Sequence, residues 1–229
     1  MFQAVLFELE GVLADTRKLR RRALQDALAH DGVVLSDADY DDLYAALPVR
    51  NAIPAALGAA GATADATAIE LATLRAERGF TQQLSHGFAV TDGARELVAN
   101  LAARVRLGVV TRASRRDADS MLTTAGLDFA FECVVSADDV TEPKPATAPY
   151  EHALRALARR RPVAPSLTLA LEDSPSGIRS ARAAGLRCLA VGAMPAHWAL
   201  QAEGLLPTLR GHTLASLEGV VLRPEERIA

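Results

Sequence analysis

The sequence predicts an α/β fold: a doubly wound parallel sheet with an all-helical domain inserted after its first strand. Three observations lead there. From Asp92 onward, short apolar runs alternate with amphipathic helical stretches, the rhythm of strand–helix–strand units. Between residues 16 and 85 the pattern is helical, with no convincing strand. Half of the 229 residues are hydrophobic but only 4% are aromatic, so the core is built from Ala, Leu and Val, which suits helices laid over a buried parallel sheet. The expected domains are residues 1–15 with 86–229, and a helical domain over 16–85.

Each element has a local reason. Ala4-Val5-Leu6-Phe7 is an apolar run short enough for a buried strand, and Glu8 and Glu10 follow where it ends, before Gly11 lets the chain turn. Ala23, Leu24, Ala27 and Leu28 form an apolar stripe at helical spacing, opposite Arg17, Lys18, Arg20, Arg21 and Arg22. That basic run reads either as a solvated face or as a positive rim that attracts an anionic substrate. Ser36 is a helix N-cap with Asp37 and Asp39 behind it, and the helix runs to about Leu47, where Pro48 stops it. Ile53 to Leu57 is helical, and a long helix follows from Asp65 to about Leu84.

Asp92 is expected to cap a helix containing Leu97, Val98 and Leu101, before a strand from Arg106 to Val110. Ser114 caps the next helix and Gly126 closes it. Glu132 to Ser136 is a strand, Pro149 to Ala158 a helix, and Leu167 to Leu171 a strand that leads directly into Glu172 and Asp173. Ser174-Pro175 has the N-cap and N1 chemistry of a helix start, with Gly185 at its end, and Cys188 to Val191 is a further strand. The tail from Pro195 mixes helical and short apolar pieces and carries little signal.

A net charge of −3 gives no general attraction to nucleic acid or anionic membrane. No window reaches transmembrane length and no basic-then-apolar leader opens the chain, so a soluble, cytoplasmic protein is expected. Cys133 and Cys188 lack metal-ligand spacing and read as small apolar residues in a reducing compartment.

In a doubly wound sheet, ligands bind at the carboxyl ends of the strands. Those ends carry Glu8 and Glu10, then Thr111, then Glu172 and Asp173. Carboxylates gathered in one crevice need a cation, and oxygen donors on a rigid frame suit Mg²⁺. Lys144, bracketed by Pro143 and Pro145 in the loop after the third strand, opens onto the same end with a restrained backbone.

These segments together resemble the haloacid dehalogenase (HAD) superfamily, in its β-phosphoglucomutase-like and phosphoglycolate phosphatase-like subgroup. Such proteins open on Asp-x-Asp-Gly-x-x-x-Asp-Thr. Here the frame is Glu8-Leu9-Glu10-Gly11-Val12-Leu13-Ala14-Asp15-Thr16, with both key aspartates replaced by glutamates. Thr111 matches the second motif, and Lys144-Pro145 with Pro149-Tyr150 the third, although Thr147 and Ala148 stand where the family often has Pro and Asp. Leu171 to Ile178, followed by Ala183-Ala184-Gly185, matches the fourth, so the resemblance covers the whole chain with an inserted helical cap.

The resemblance implies Glu8 as nucleophile and Mg²⁺ ligand, and Glu10 as the acid/base with its backbone carbonyl on the metal. It implies Thr111 as a hydrogen-bond donor to the phosphoryl group and Lys144 as the holder of nucleophile and phosphate charge. Asp173, with Glu172 beside it, completes the implied metal site. Arg50 in the cap segment and Arg112 next to Thr111 are further candidate substrate-binding residues. The implied partner is a small phosphorylated metabolite, with the chain a monomer or dimer.

Glutamate and aspartate have similar acidities, so the substitution changes reach rather than pKa. The extra methylene moves each carboxylate by roughly 1 to 1.5 Å, and a misplacement of about 1 Å can cost on the order of 100-fold in rate. Three readings stay open: a Mg²⁺-dependent hydrolase of small phosphomonoesters acting through an acyl-phosphate, a catalytically impaired relative that binds a phosphorylated ligand or partner, and a sugar-phosphate mutase. Dehalogenase chemistry is disfavoured, because by resemblance those members keep an Asp nucleophile and lack the second acid.

Overall fold

A computed structural model describes residues 1–45 and 47–222. In chain order the elements are β1 (Ala4–Phe7), β2 (Ala14–Asp15), α1 (Arg17–Ala29), α2 (Asp37–Asp39), α3 (Val49–Ala59) and α4 (Ala66–Leu84). Then come β3 (Ala89–Val90), α5 (Ala94–Ala102), β4 (Arg106–Val110), α6 (Arg115–Ala125), β5 (Cys133–Val135) and α7 (Ala148–Ala158). The chain continues through β6 (Thr168–Glu172), α8 (Pro175–Ala183), β7 (Arg187–Val191), α9 (Ala196–Ala199), β8 (Leu205–Leu206) and α10 (Leu214–Leu222). It divides into two compact units, Met1–Asp15 with Ala89–Ala229, and Thr16–Phe88.

The first unit is built on a six-stranded parallel sheet in the order β5-β4-β1-β6-β7-β8. Its helices are those of a doubly wound fold. All four residues of β1 are buried, as the apolar run requires of a central strand. Leu6 and Ala170 pack under Tyr150 and Ala153 of α7 and Ile178 and Ala181 of α8. Alternation sends Val5 and Phe7 to the opposite face. Gly108 lies between Leu6 and Cys133, and a Cβ there would come within 2.8 Å of both side chains, so glycine is what lets the strands keep their packing. A short antiparallel pair, β2 with β3, brackets the points where the chain leaves and re-enters this unit.

The helix starts follow their caps. Ser114 Oγ accepts from the Asp117 amide (3.1 Å), and Ser174 Oγ from the Gly177 amide (3.2 Å). Gly126 ends α6 in the left-handed conformation at φ 66°. Asp92 does not cap α5 as expected. Gly93, at φ 81°, takes the N-cap position, while both Asp92 oxygens accept from the Arg210 guanidinium at 2.8 Å. An arginine 118 residues away competes better for that carboxylate than the local amides do. The strands predicted over 132–136 and 167–171 are Cys133–Val135 and Thr168–Glu172, so Glu172 is the last residue of its strand rather than the first of the following loop.

The second unit is helical. Leu24, Ala27 and Leu28 of α1, Ile53 and Leu57 of α3, and Ala72 and Ala76 of α4 form its core with Tyr40 and Tyr44. The helix predicted from Ser36 to about Leu47 is one α turn followed by a π-helical turn over Tyr40–Tyr44, in which the Ala45 amide donates to the Tyr40 carbonyl at 2.8 Å. Ala46 in that prediction, and residues 223–229 of the tail, lie outside the described residues. Part of the basic run on α1 is structural: Arg20 lies 3.3 Å from the Phe80 ring centroid, and Arg21 pairs with Asp37 at 3.1 Å. Among the described residues no helix is long and apolar enough to cross a membrane.

Candidate active site

The register of the sheet builds the site. Phe7 of β1 is level with Val109 of β4 and Leu171 of β6, so Glu8, Val110 and Glu172 come next on the central three strands, in one row. The Glu8 amide donates to the Leu171 carbonyl at 2.9 Å and carries that register past the end of β1. Equivalent positions on neighbouring parallel strands point to the same face, which sets the Glu8 and Glu172 carboxylates side by side.

Two buried like charges are tolerated only with a cation between them. Lys144 supplies it. Its Nζ donates to Glu8 Oε2 at 2.6 Å, Glu172 Oε1 at 2.5 Å and the Val110 carbonyl at 2.7 Å, one acceptor from each strand end in the row. The Lys144 and Glu172 side chains are 0% exposed and that of Glu8 is 4% exposed. Burial alone would drive the Lys144 ammonium down, but Glu172 and Glu8 reverse this and hold it above its usual value.

Tyr150 of α7 completes the row from below: its buried Oη donates to Glu172 Oε1 at 2.6 Å. Burial raises the Tyr150 phenol well above its usual value, with Glu172 adding to the shift. Burial likewise raises Glu172, against the pull of Lys144. Glu172 Oε2 is buried without a hydrogen-bond partner and lies against Gly177 in the first turn of α8, where any Cβ would fall inside the carboxylate.

Asp173 lies one residue further along. Burial, then the neighbouring Glu8 and Glu172 carboxylates, push it up to about 7, while Arg112 and Lys144 pull the other way. Its carboxylate sits over Gly11, which takes φ 78° and has no room for a Cβ there. The loop from β1 to β2 that contains Gly11 is tight, with the Leu9 carbonyl accepting from both the Leu13 and Ala14 amides at 2.9 Å. Thr111 follows β4 directly, its amide donating to the Val135 carbonyl at 2.8 Å and its Oγ1 accepting from the Ala113 amide at 3.2 Å.

Of the residues picked out from sequence, Glu8, Lys144 and Glu172 therefore meet directly, and Asp173, Arg112 and Thr111 stand at the same strand ends. Glu10 is half-buried on the loop after β1, in an isolated bridge with Ala14. Arg50 is exposed on α3 of the helical unit. Glu172, expected beside the metal, gives its Oε1 to Lys144 and Tyr150 and keeps Oε2 without a hydrogen-bond partner. The Pro149-Tyr150 pair in the sequence assigns no role to Tyr150, whose hydroxyl the structure places on Glu172.

Among the described residues no three His, Cys, Asp or Glu side chains stand at the spacing of a metal centre. The carboxylates at these strand ends that could hold a cation are those of Glu8, Asp173 and Glu172, whose Oε2 has no hydrogen-bond partner, all hard oxygens. That set suits Mg²⁺, which takes one or two carboxylates and keeps its own waters. The raised Asp173 carboxyl marks the uncompensated negative charge such an ion would neutralise.

A family profile described as haloacid dehalogenase-like hydrolase matches residues 5–191. The chain is 32% identical over 191 residues to validoxylamine A 7'-phosphate phosphatase of Streptomyces hygroscopicus subsp. limoneus, covering 82% of this chain and 85% of that protein. It is 34% identical over 192 residues to a phosphoglycolate phosphatase of Rhodospirillum rubrum, covering 81% of this chain and 78% of the other. Among solved structures, CbbY from Rhodobacter sphaeroides in complex with phosphate superposes with a TM-score of 0.79 at 28% identity, over 95% of this chain and 100% of that one. With the profile spanning most of the sequence and curated relatives above 30% identity, the chain belongs to the haloacid dehalogenase-like hydrolase family.

Proposed function

We propose that the chain is a phosphatase that hydrolyses a small phosphomonoester of the sugar phosphate or phosphoglycolate type. The observation that carries this reading is the row of Glu8, Val110 and Glu172 spanned by Lys144, a buried carboxylate held rigidly at the centre of the strand ends. Relatives named as phosphatases at 32% and 34% identity support it.

In this reading a Glu8 carboxylate oxygen attacks phosphorus in line. The bond from phosphorus to the ester oxygen breaks, and Glu10 delivers a proton to the departing alkoxide. Water then attacks the acyl-phosphate, with Glu10 as the base, releasing phosphate and restoring Glu8. Each Glu8 oxygen accepts one hydrogen bond, from Leu9 N–H and Lys144 respectively, and so keeps a lone pair. Lys144 fixes the carboxylate against rotation, which matters more for the longer glutamate arm than for aspartate. The Thr111 hydroxyl accepts from Ala113 and keeps its proton to donate to a phosphoryl oxygen. Mg²⁺, held by Glu8, Asp173 and the Glu10 carbonyl, would neutralise phosphoryl charge.

The test is phosphate release from a panel of sugar phosphates and phosphoglycolate with Mg²⁺, for the wild type, Glu8→Gln and Glu8→Asp. Release by the wild type that Glu8→Gln abolishes is expected. An inert wild type alongside an active Glu8→Asp would refute the reading and leave a ligand-binding protein.

A further inference from the structure

The hydrogen-bond inventory of the two cations at the strand ends divides their labour. An ammonium has three N–H bonds, and Lys144 spends all three on Glu8, Glu172 and the Val110 carbonyl. To reach a phosphoryl oxygen it would have to release a buried carboxylate or a backbone carbonyl. Arg112 is in the opposite condition. It follows Thr111 at the end of β4, half-buried, and its Nη1 is buried with no hydrogen-bond partner. Buried unpaired donors are rare in folded proteins, and a charged one is among the most costly. Its charge is felt at Asp173, which puts the guanidinium within electrostatic range of the carboxylates.

We propose that Arg112 takes the non-bridging phosphoryl oxygens of the bound ester, beside Lys144, which fixes Glu8 and Glu172. This rests on the phosphatase reading of the site. A guanidinium presents a planar fork that matches two phosphoryl oxygens at once, and the ligand then supplies the acceptor Nη1 lacks. Ground-state recognition of phosphate then draws on a side chain outside the Lys-Pro motif.

The test uses inorganic phosphate as the probe, so binding is read without turnover. Phosphate affinity is measured by calorimetry and by thermal protection, with Mg²⁺ present, for the wild type, Arg112→Gln, Arg112→Lys and Arg116→Gln. Arg116 is exposed on α6 and serves as the control. We expect Arg112→Gln to weaken phosphate by about 10- to 100-fold, the worth of charge-assisted hydrogen bonds, with Arg112→Lys in between. Without phosphate, Arg112→Gln should cost little stability, because Nη1 has no hydrogen bond to lose and only the guanidinium's attraction to Asp173 goes; an arginine kept for structure would cost more there. Phosphate affinity within twofold of the wild type in Arg112→Gln would overturn the proposal, as would a wild type that binds no phosphate. Phosphate binding through Arg112 in a chain that hydrolyses no ester would refute the phosphatase reading and leave this one standing. Turnover with an unchanged KM in Arg112→Gln would do the reverse.

Discussion

Tyr150→Phe isolates one link of the buried network. The substitution removes a single oxygen from a fully buried ring and leaves the packing of α7 on the sheet intact, so it opens almost no cavity. What it removes is the 2.6 Å hydrogen bond to Glu172 Oε1. Glu172 Oε2 already lacks a partner, so the carboxylate is left with Lys144 alone. A hydrogen bond to a charged group contributes about 1.5–3 kcal/mol, and a loss near 2 kcal/mol is expected. With an m-value of roughly 2–3 kcal/mol/M, the urea midpoint should fall by about 0.7–1 M. The single tryptophan, Trp198, lies on α9 of the α/β unit, so its fluorescence reports unfolding of the unit that holds the network. A double-mutant cycle with Glu172→Gln separates the pair from its surroundings. A loss below about 0.5 kcal/mol, or a coupling energy near zero, would refute the claim that Tyr150 holds Glu172.

Gly177→Ala should lower the melting temperature although alanine favours helices, because its Cβ would fall inside the Glu172 carboxylate and overpacking costs about 1–3 kcal/mol; an unchanged or higher melting temperature would contradict the packing described. Glu132 lies 2.8 Å from Arg106, whose hydrogen bond holds the carboxyl below its usual value. Its contribution is therefore present above the unfolded pKa of about 4.3 and fades as pH falls through the lowered folded value. Glu132→Gln should cost about 0.5–1 kcal/mol at pH 7, a difference that narrows as pH falls below the unfolded pKa of about 4.3, as followed by urea unfolding across that range. Burial pushes the Cys133 thiol up to about 11, so alkylation of native protein at pH 8 should be far slower than that of a free cysteine, as read by mass spectrometry.

How much of this was legible in the sequence depended on how local each cause is. Strand-end acids, serine caps and Gly126 are decided within a few residues, and their chemistry is written in the run itself. Lys144 was recognised from its bracketing prolines, but where its ammonium lands depends on the Glu8–Val110–Glu172 row, which is set by strand register. Glu172 and Asp173 are neighbours in sequence and look interchangeable as ligands. Only the ending of β6 at Glu172 separates a residue turned to Lys144 from one standing over Gly11. Asp92 has every local mark of an N-cap and was taken by Arg210, far along the chain. The π turn at Tyr40–Tyr44 has no periodic signature in so short a segment.

The ammonium of Lys144 also bears on how the sheet comes together. Its partner Glu8 is 136 residues earlier in the chain and Glu172 is 28 residues later. A partly assembled sheet with β1 and β6 paired but the 140–147 loop undocked would hold two facing carboxylates in a dry interior with nothing between them. Such an intermediate is penalised by its own charges. The side chain that orients the candidate nucleophile thus also makes assembly of the central strands cooperative, so native exchange of the Glu8 amide should require opening of the whole α/β unit rather than local fraying.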